Sequence, residues 1–369
     1  MKTYNTVKPE DMTLDSIVYE AVLFNPNPTQ DASEAAPVGS NVDGMIDPTN
    51  SPFQWAQNLF PIMRGNDWGP EEVDMTSDGI AYMKLSDVKK RGYDLAISAL
   101  IFNDSVQTRN LAGSMMPFIT DGNIAKCMAR QIFDEALHSD SYDVMLKDVS
   151  PNRDEIYKMY NTDAVLRERN EFLENMYSDL AYSKGEGVSM RSLLKAMIAN
   201  NILEALMFYA GFVWFWYLGT TMKGSASMIS FIARDERTHV LLFRQILTST
   251  LKSYPGISRV EVEDMAREAV TATVEIEIKW LHYLTQGEIA EFNEATISRY
   301  IHGKADMLMT GMGFGKLYGD PVSPLSVYEK MYDDPNKIKS NFFESSPKTY
   351  TSTKLSVEGY LTNQGEENE

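Results

Sequence analysis

The chain has 369 residues, 43% of them apolar and 23% charged, a composition that excludes a wholly disordered or collagen-like protein. Acidic residues number 52 and basic residues 34, so the net charge of −18 gives the protein no broad electrostatic reason to bind nucleic acid or anionic lipid. The single cysteine, Cys127, excludes an internal disulfide framework and a cysteine-built zinc or iron–sulfur site, and we interpret it as a small core residue.

Turn-forming residues dominate the beginning of the chain, and we predict an irregular N-terminal extension over residues 1–65. Its first residues lack the apolar segment of a secretory signal, so we expect a cytoplasmic protein. Long helical patterns then define a domain over 66–320, and a polar C-terminal segment, 321–369, ends in a flexible tail. Because few runs alternate with period two, the fold class is all-α, with predicted helices over 86–111, 116–148, 152–181, 188–218, 222–252, 259–285 and 290–310.

One stretch, residues 202–219, is apolar enough to be mistaken for a membrane span. It contains Glu204, however, and a carboxylate within such a run is costly in lipid and often functional. The helical pattern also continues without a break from the polar residues before it. We therefore prefer a fully buried helix of a soluble bundle, with a membrane span as the weaker alternative.

Two of the four histidines lie in Glu-x-x-His motifs, whose paired side chains project from one face of a helix. Four-helix carboxylate bundles hold two metal ions with two such motifs and one further acid from each of two other helices. Two lone acids on otherwise apolar helical faces complete this set, although a buried lone acid can also be a hydrogen-bonded core residue. The candidate ligands suit iron or manganese, and they are Asp104, Glu135, His138, Glu204, Glu236 and His239. The other histidines, His282 and His302, are interpreted as surface or capping residues.

Tyr142 lies one turn beyond His138, on the same helical stripe as the metal-binding motif. Apolar residues on the corresponding stripes of two other helices could form a dry pocket around its phenol: Phe208, Phe212 and Ile232. Each of these could equally be ordinary core packing. A phenol beside two redox-active metals can be oxidised by one electron, and a dry pocket would protect the resulting radical.

Together these motifs resemble the small, radical-bearing β subunit of class I ribonucleotide reductase. The resemblance extends from about Trp68 to the C-terminus, and it implies a ferritin-like four-helix carboxylate bundle with additional helices. It also implies the six metal ligands given above, a stable radical on Tyr142 and the apolar pocket around it. The motifs that carry it are WGPEEVD (68–74), NDSVQ (103–107), ExxHSxSY (135–142), LEALMFYAGF (203–212) and IARDExxH (232–239).

A path for the radical follows from the same resemblance. It implies that Asp235 forms a hydrogen bond near His138 and that Trp68 continues the path, although these two residues could simply orient a histidine and fill the core. The tail sequence NFFESSPKTY places the last tyrosine of the path at Tyr350, with Tyr360 as the alternative. The final residues, EENE, depart from the apolar terminus that is usual in the family.

The function implied is that of the radical-generating small subunit of ribonucleoside-diphosphate reductase. Two irons per chain, with two manganese ions as the alternative, and dioxygen would oxidise Tyr142. A large α subunit, bound through the C-terminal tail, would then convert ribonucleotides to deoxyribonucleotides for DNA replication, and the small subunit would be a homodimer. The alternatives are a di-metal oxidase on the same bundle, desaturase-like or ligand-binding, and an iron-storage protein.

Overall fold

The computed structural model describes residues 4–183 and 187–332, and this part of the chain is almost entirely helical. The predicted all-α fold class is confirmed. The α-helices are α1 (Gln54–Gly65), α2 (Asp78–Met83), α3 (Asp87–Asn110), α4 (Gly122–Val149), α5 (Arg153–Thr162), α6 (Ala164–Ala181), α7 (Met190–Ile202), α8 (Phe208–Leu218), α9 (Lys223–Ser253), α10 (Arg259–Thr285), α11 (Glu294–Gly311) and α12 (Ser326–Tyr332).

A ring of four helical segments forms the centre of the molecule. Helix α3 packs on α4, α4 on α9, α9 on α7 and α8, and α8 returns to α3, so the ring is closed. Helices α5, α6, α10 and α11 cover one side of this ring, and α1 packs against α4 and α9. Each wall of the ring carries at least one of the candidate metal ligands, which therefore face a common interior.

Helices α7 and α8 form the wall that has the apolar run. Met190–Leu218 is long and apolar enough to cross a membrane, but its apolar window is wholly buried in protein. A helix that is apolar all round belongs in the core of a large bundle. The apolar run is therefore a buried helix of the bundle, as preferred from the sequence.

Close packing brings α3 against α8. A Cβ atom on Gly92 of α3 would lie 2.7 Å from the Trp214 ring of α8, and one on Gly211 of α8 would lie 3.1 Å from Leu100 of α3. Because both positions are glycine, the two helices approach more closely than larger residues would allow. These helices belong to the two walls that supply the lone acids Asp104 and Glu204.

Side-chain caps explain several helix boundaries. Asp121 accepts hydrogen bonds from the backbone N–H groups of Asn123 and Ile124 at the start of α4. Asp163 caps Ala164–Ala181 in the same way, so the predicted helix over 152–181 is in fact two helices, α5 and α6. The cap interrupts a helical pattern that the apolar periodicity alone would continue.

The N-terminal extension contains more regular structure than the sequence analysis predicted. Helix α1 lies within it, with Pro61 inside the helix, and strand β1 (Ile17–Val18) pairs antiparallel with β2 (Val188–Ser189). The helix predicted over 188–218 begins after β2, and a π-helical turn, Leu203–Met207, interrupts it. The proposed division into segments 1–65, 66–320 and 321–369 stays a prediction.

Candidate metal centre

Six buried side chains converge inside the four-helix ring, and they are the six candidate ligands. They form two groups, in each of which the possible ligand atoms lie within 4.8 Å of one another. Glu135 and Glu236 belong to both groups, so each could bridge two ions. The first group is Asp104, Glu135, His138 and Glu236, and the second is Glu135, Glu204, Glu236 and His239.

Both histidines direct Nδ1 into the cluster of carboxylates. His138 Nδ1 lies 3.1 Å from Glu236 Oε1 and 3.4 Å from Asp104 Oδ1. His239 Nδ1 lies 2.6 Å from Glu236 Oε2 and 3.4 Å from Glu135 Oε1. The Glu236 carboxylate therefore lies between the two imidazoles, one at each of its oxygens.

The donor set fits a pair of metal ions. Burial raises the pKa of Glu135 well above its usual value, and the neighbouring Glu204 and Glu236 carboxylates raise it further. Burial and Glu236 likewise raise the pKa of Glu204. Two cations would offset this repulsion and would satisfy the buried atoms that lack a hydrogen bond, which are Asp104 Oδ1 and Oδ2, Glu135 Oε2, His138 Nδ1, Glu204 Oε2 and Glu236 Oε1.

Two glutamines that were not predicted from the sequence form hydrogen bonds with Glu204. Gln131 Nε2 donates a hydrogen bond to Glu204 Oε1 at 2.8 Å, and Gln107 Nε2 donates to the same oxygen. The second oxygen of Glu204 therefore remains free to face a metal ion. Their positions could have indicated them, because Gln131 lies one turn before Glu135 and Gln107 lies nearly one turn after Asp104, on the same helical faces as these ligands.

Tyr142 is fully buried one turn from His138, on the same helix. Burial raises the pKa of its phenol well above the usual value, and the Asp104 and Glu236 carboxylates add to this effect, so the hydroxyl stays protonated. Phe208 and Phe212 are also fully buried and stack with ring centroids 5.7 Å apart. Ile232 is buried as well, and the proposed pocket formed by these three residues stays a prediction.

Trp68, Asp235 and His138 form a series of contacts that leads toward the cluster. Trp68 Nε1 donates to Asp235 Oδ2 at 2.7 Å, and the same oxygen lies 3.4 Å from His138 Nε2. The indole is 7% exposed and stacks on the Phe231 ring. Tyr350 and Tyr360 lie outside the described residues.

The remaining singled-out residues lie away from this cluster. Cys127 is fully buried and its thiol contacts the Ala56 carbonyl, in agreement with a core role. His282 and His302 are partly exposed, and the His302 ring stacks on Tyr318 with centroids 3.9 Å apart. Neither histidine belongs to a metal-binding group among the described residues.

Comparison with known proteins identifies a single family. The family model described as "Ribonucleotide reductase, small chain" matches residues 49–324. The chain is 34% identical over 353 residues to ribonucleoside-diphosphate reductase subunit beta of Treponema pallidum, a match that covers 94% of this chain and 99% of the relative. The corresponding subunit of Halalkalibacterium halodurans is 30% identical over 302 residues, covering 81% of this chain and 86% of the relative.

Solved structures agree with the sequence relatives. The ribonucleotide reductase R2 subunit from Clostridium botulinum superposes with a TM-score of 0.80 and 28% identity, covering 86% of this chain and 99% of that one. The dimanganese(II)-NrdF of Streptococcus sanguinis superposes with a TM-score of 0.66 at 18% identity, covering 77% of this chain and 98% of that one, which supports the fold alone.

Proposed function

The chain belongs to the family of ribonucleotide reductase small chains, and from this premise we propose that it generates a stable radical on Tyr142 and passes it to the catalytic large subunit. It is the radical-generating subunit of ribonucleoside-diphosphate reductase, and its family implies a large-subunit partner and a dimer. One observation carries the proposal: two metal-binding groups share Glu135 and Glu236, and a buried phenol lies one turn from one of their histidines. A cytoplasmic location accords with this function.

The two groups would each hold one iron or manganese ion, with Glu135 and Glu236 shared between them. When bound, the metal pair supplies the one-electron oxidising equivalent derived from dioxygen. The chain contributes carboxylate and imidazole ligands, several of whose buried atoms have no hydrogen-bond partner among the described residues. Gln107 and Gln131 contribute by keeping one oxygen of Glu204 occupied and leaving the other available.

The surroundings of Tyr142 suit a long-lived radical. Its side chain is fully buried, so water and soluble reductants do not reach the ring. Its hydroxyl has no hydrogen bond of ordinary geometry with the described residues, and the Asp104 carboxylate is its polar neighbour. Phe208, Phe212 and Ile232, all fully buried, would supply the apolar surroundings.

The exit path would lead from His138 through Asp235 to Trp68. When the indole loses an electron, its Nε1 proton can move to Asp235 Oδ2, which already accepts that N–H at 2.7 Å. Oxidation of Trp68 would therefore leave no unpaired charge in the protein interior. From Trp68 the radical would continue to Tyr350 of the C-terminal tail, which we propose as the segment that docks in the large subunit.

The competing function, a desaturase-like or ligand-binding oxidase on the same bundle, is not favoured. The relatives that cover nearly the whole chain are reductase beta subunits. Hydrogen bonding of Trp68 to Asp235 is also a feature that substrate oxidation inside the bundle would not require.

The proposal is tested by loading the metal-free full-length protein with Fe²⁺ or with Mn²⁺, followed by oxygen. Metal analysis should give about two ions per chain, and low-temperature electron paramagnetic resonance should show a tyrosyl radical with at least one of the metals. Tyr142→Phe is the matched control, which should bind metal but show no radical. A radical of unchanged intensity in Tyr142→Phe would contradict the assignment to Tyr142.

A further inference from the structure

Both helices that supply a glutamate and a histidine carry the same pattern, Asp-Glu-x-x-His, at residues 134–138 of α4 and 235–239 of α9. In each pattern the glutamate belongs to both metal-binding groups. The aspartate before it contacts the histidine of the opposite helix. Asp235 Oδ2 lies 3.4 Å from His138 Nε2, and Asp134 Oδ2 lies 3.3 Å from His239 Nε2. The two aspartates therefore have equivalent positions, one behind each histidine.

The outer partners of these two aspartates differ. Asp235 accepts from the Trp68 indole at 2.7 Å. Asp134 instead faces the Arg130 guanidinium, whose Nε donates to Oδ2 at 3.2 Å and whose Nη2 lies 2.7 Å from Oδ1. Arg130 Nη1 in turn pairs with Asp67, the residue next to Trp68. An indole can be oxidised by one electron, whereas a guanidinium has no accessible oxidation of this kind.

Asp134 and Arg130 form a largely buried ion pair rather than a surface one. The Asp134 side chain is 1% exposed and that of Arg130 is 10% exposed, with the Phe133 ring 5.0 Å from the guanidinium carbon. Asp67, which ends the chain of contacts, is 67% exposed. A buried carboxylate needs such a partner, and Arg130 balances the charge of Asp134. Asp134 Oδ2 accepts from Arg130 Nε, and its second lone pair is available to accept the hydrogen of His239 Nε2, which lies 3.3 Å away.

We propose that Asp134, held by Arg130, is a positioning residue for the metal group that contains His239. It accepts the Nε2–H of His239, which fixes the tautomer and directs the Nδ1 lone pair toward the carboxylate cluster, as Asp235 does for His138. This second chain of contacts runs through the Arg130 guanidinium, which has no accessible one-electron oxidation, to the exposed Asp67 carboxylate. Among the described residues, the proposed radical path therefore leaves the centre on the His138 side, an inference that rests on the proposed function.

Metal binding to the metal-free protein tests the positioning role without any radical chemistry. Mn²⁺ is titrated into wild type, Asp134→Asn and Asp134→Ala, and bound Mn²⁺ is followed by its electron paramagnetic resonance spectrum. We expect Asp134→Ala to weaken one of the two sites by about 10–100-fold and to change the spectrum of that site alone. Asp134→Asn keeps an acceptor oxygen and should give an intermediate loss.

Two controls separate positioning from general stability. Asp235→Asn should weaken the other site, whereas Glu263→Gln, which breaks a distant i,i+4 ion pair with Arg267, should change neither. Wild-type affinity at both sites in Asp134→Ala would overturn the positioning role. Equal loss at both sites, together with a lower unfolding temperature, would overturn it as well, because it would show a purely structural pair.

The single-exit part is tested separately, with both sites saturated and the large subunit present. Asp134→Asn should then lose ribonucleotide reduction only in proportion to any loss of its Tyr142 radical, whereas Asp235→Asn should keep the radical and lose the reduction. Loss of reduction per radical in Asp134→Asn at full metal occupancy would overturn the single exit. Absence of a radical in the wild-type protein would instead contradict the proposed function, and the Mn²⁺ titration would still decide the role of Asp134.

Discussion

At the scale of single residues, the shared glutamates differ from the other carboxylates of the centre. Glu135 and Glu236 belong to both metal-binding groups, whereas Asp104 and Glu204 each belong to one. Burial would raise the pKa of Glu236, but the flanking His239 and His138 lower it below its usual value, so this carboxylate stays ionised. A shared, ionised ligand should affect both metal ions when it is removed.

The metal content should therefore distinguish the two kinds of ligand. Glu236→Ala should lose both ions, while Glu204→Ala should retain about one ion per chain, because the first group does not include Glu204. Metal analysis after anaerobic loading and desalting measures both. Equal occupancy in the two variants would show that the groups are not independent. Glu263→Gln, far from the centre, serves as the control with about two ions.

Tyr142→Phe should leave the fold and the metal content intact and should remove the radical. The hydroxyl that it deletes is fully buried and forms no hydrogen bond with the described residues. Its loss should change the free energy of unfolding by less than about 1 kcal/mol. Calorimetry measures the stability, metal analysis the metal content and electron paramagnetic resonance the radical. A large loss of stability would show that the phenol has an unrecognised partner.

The sequence predicted the six candidate ligands because the metal-binding chemistry imposes both residue type and spacing. Of the residues that orient them, Asp235 was expected from the resemblance, whereas Gln107, Gln131 and Asp134 were not, since an amide or carboxylate that orients a ligand can come from many positions. Gln131 and Asp134 illustrate this, because only their neighbours across helix interfaces give them a role. For Asp134 a signal did exist, namely that Asp precedes Glu in both Glu-x-x-His motifs.

At the scale of helices, the arginine of a buried ion pair also contacts the two walls that supply the lone acids. Arg169 of α6 donates to Glu277 of α10 at 2.7 Å, with 2% and 0% of the side chains exposed. The same guanidinium donates to the Asn103 side chain, next to Asp104, and to the Met207 carbonyl, at the end of the π-helical turn that contains Glu204. Arg169 therefore links a side chain of α3 to the backbone of the π-helical turn, on the two sides of the centre.

Arg169→Met should destabilise the protein by about 3–5 kcal/mol, because it leaves the Glu277 carboxylate buried without a partner. Arg169→Met combined with Glu277→Leu should recover much of this loss. Lys279→Met is the matched control, since its ion pair with Glu168 has side chains 54% and 61% exposed and should contribute no more than about 1 kcal/mol. Denaturant unfolding measures the stability of the three variants. A double variant as unstable as Arg169→Met alone would show that Arg169 acts mainly through its contacts with the Met207 carbonyl and the Asn103 amide.

Helix positions were predictable where apolar periodicity decides them, and less so where one side chain intervenes. Arg259–Thr285 agrees with the prediction over 259–285, and Ser258 caps its start. The break between α5 and α6 depends on Asp163, and the apolar periodicity does not indicate the π-helical turn Leu203–Met207. Helix α1 was missed because Pro61 and the turn formers before it lower its helical propensity, whereas burial of Trp55, Leu59 and Met63 stabilises it.

At the scale of the whole molecule, the metal centre should also stabilise the fold. Four carboxylates and two imidazoles are fully buried at the meeting point of the four helical walls. Removal of metal with a chelator should therefore lower the unfolding temperature. Restoring a metal ion at about 100 times its dissociation constant should return about 2.7 kcal/mol per site. Calorimetry of metal-free and loaded protein measures the change, and Glu236→Ala should show almost none of it.

The radical must finally leave the molecule, and electron transfer in one step over tens of ångströms is far too slow. Trp68 donates a hydrogen bond to Asp235 and is 7% exposed, so the described part carries the proposed path as far as this largely buried indole. The next relay should lie in the polar tail, where the NFFESSPKTY match favours Tyr350.

Tyr350→Phe should therefore keep the metal ions, the Tyr142 radical and the affinity for the large subunit, and should abolish ribonucleotide reduction by the mixed complex. Deletion from Thr351 onward should instead weaken binding, because the docking residues should lie beyond the relay. Turnover and binding are measured separately with the matching large subunit, and Tyr360→Phe is the control. Normal turnover in Tyr350→Phe together with an inactive Tyr360→Phe would place the relay at Tyr360.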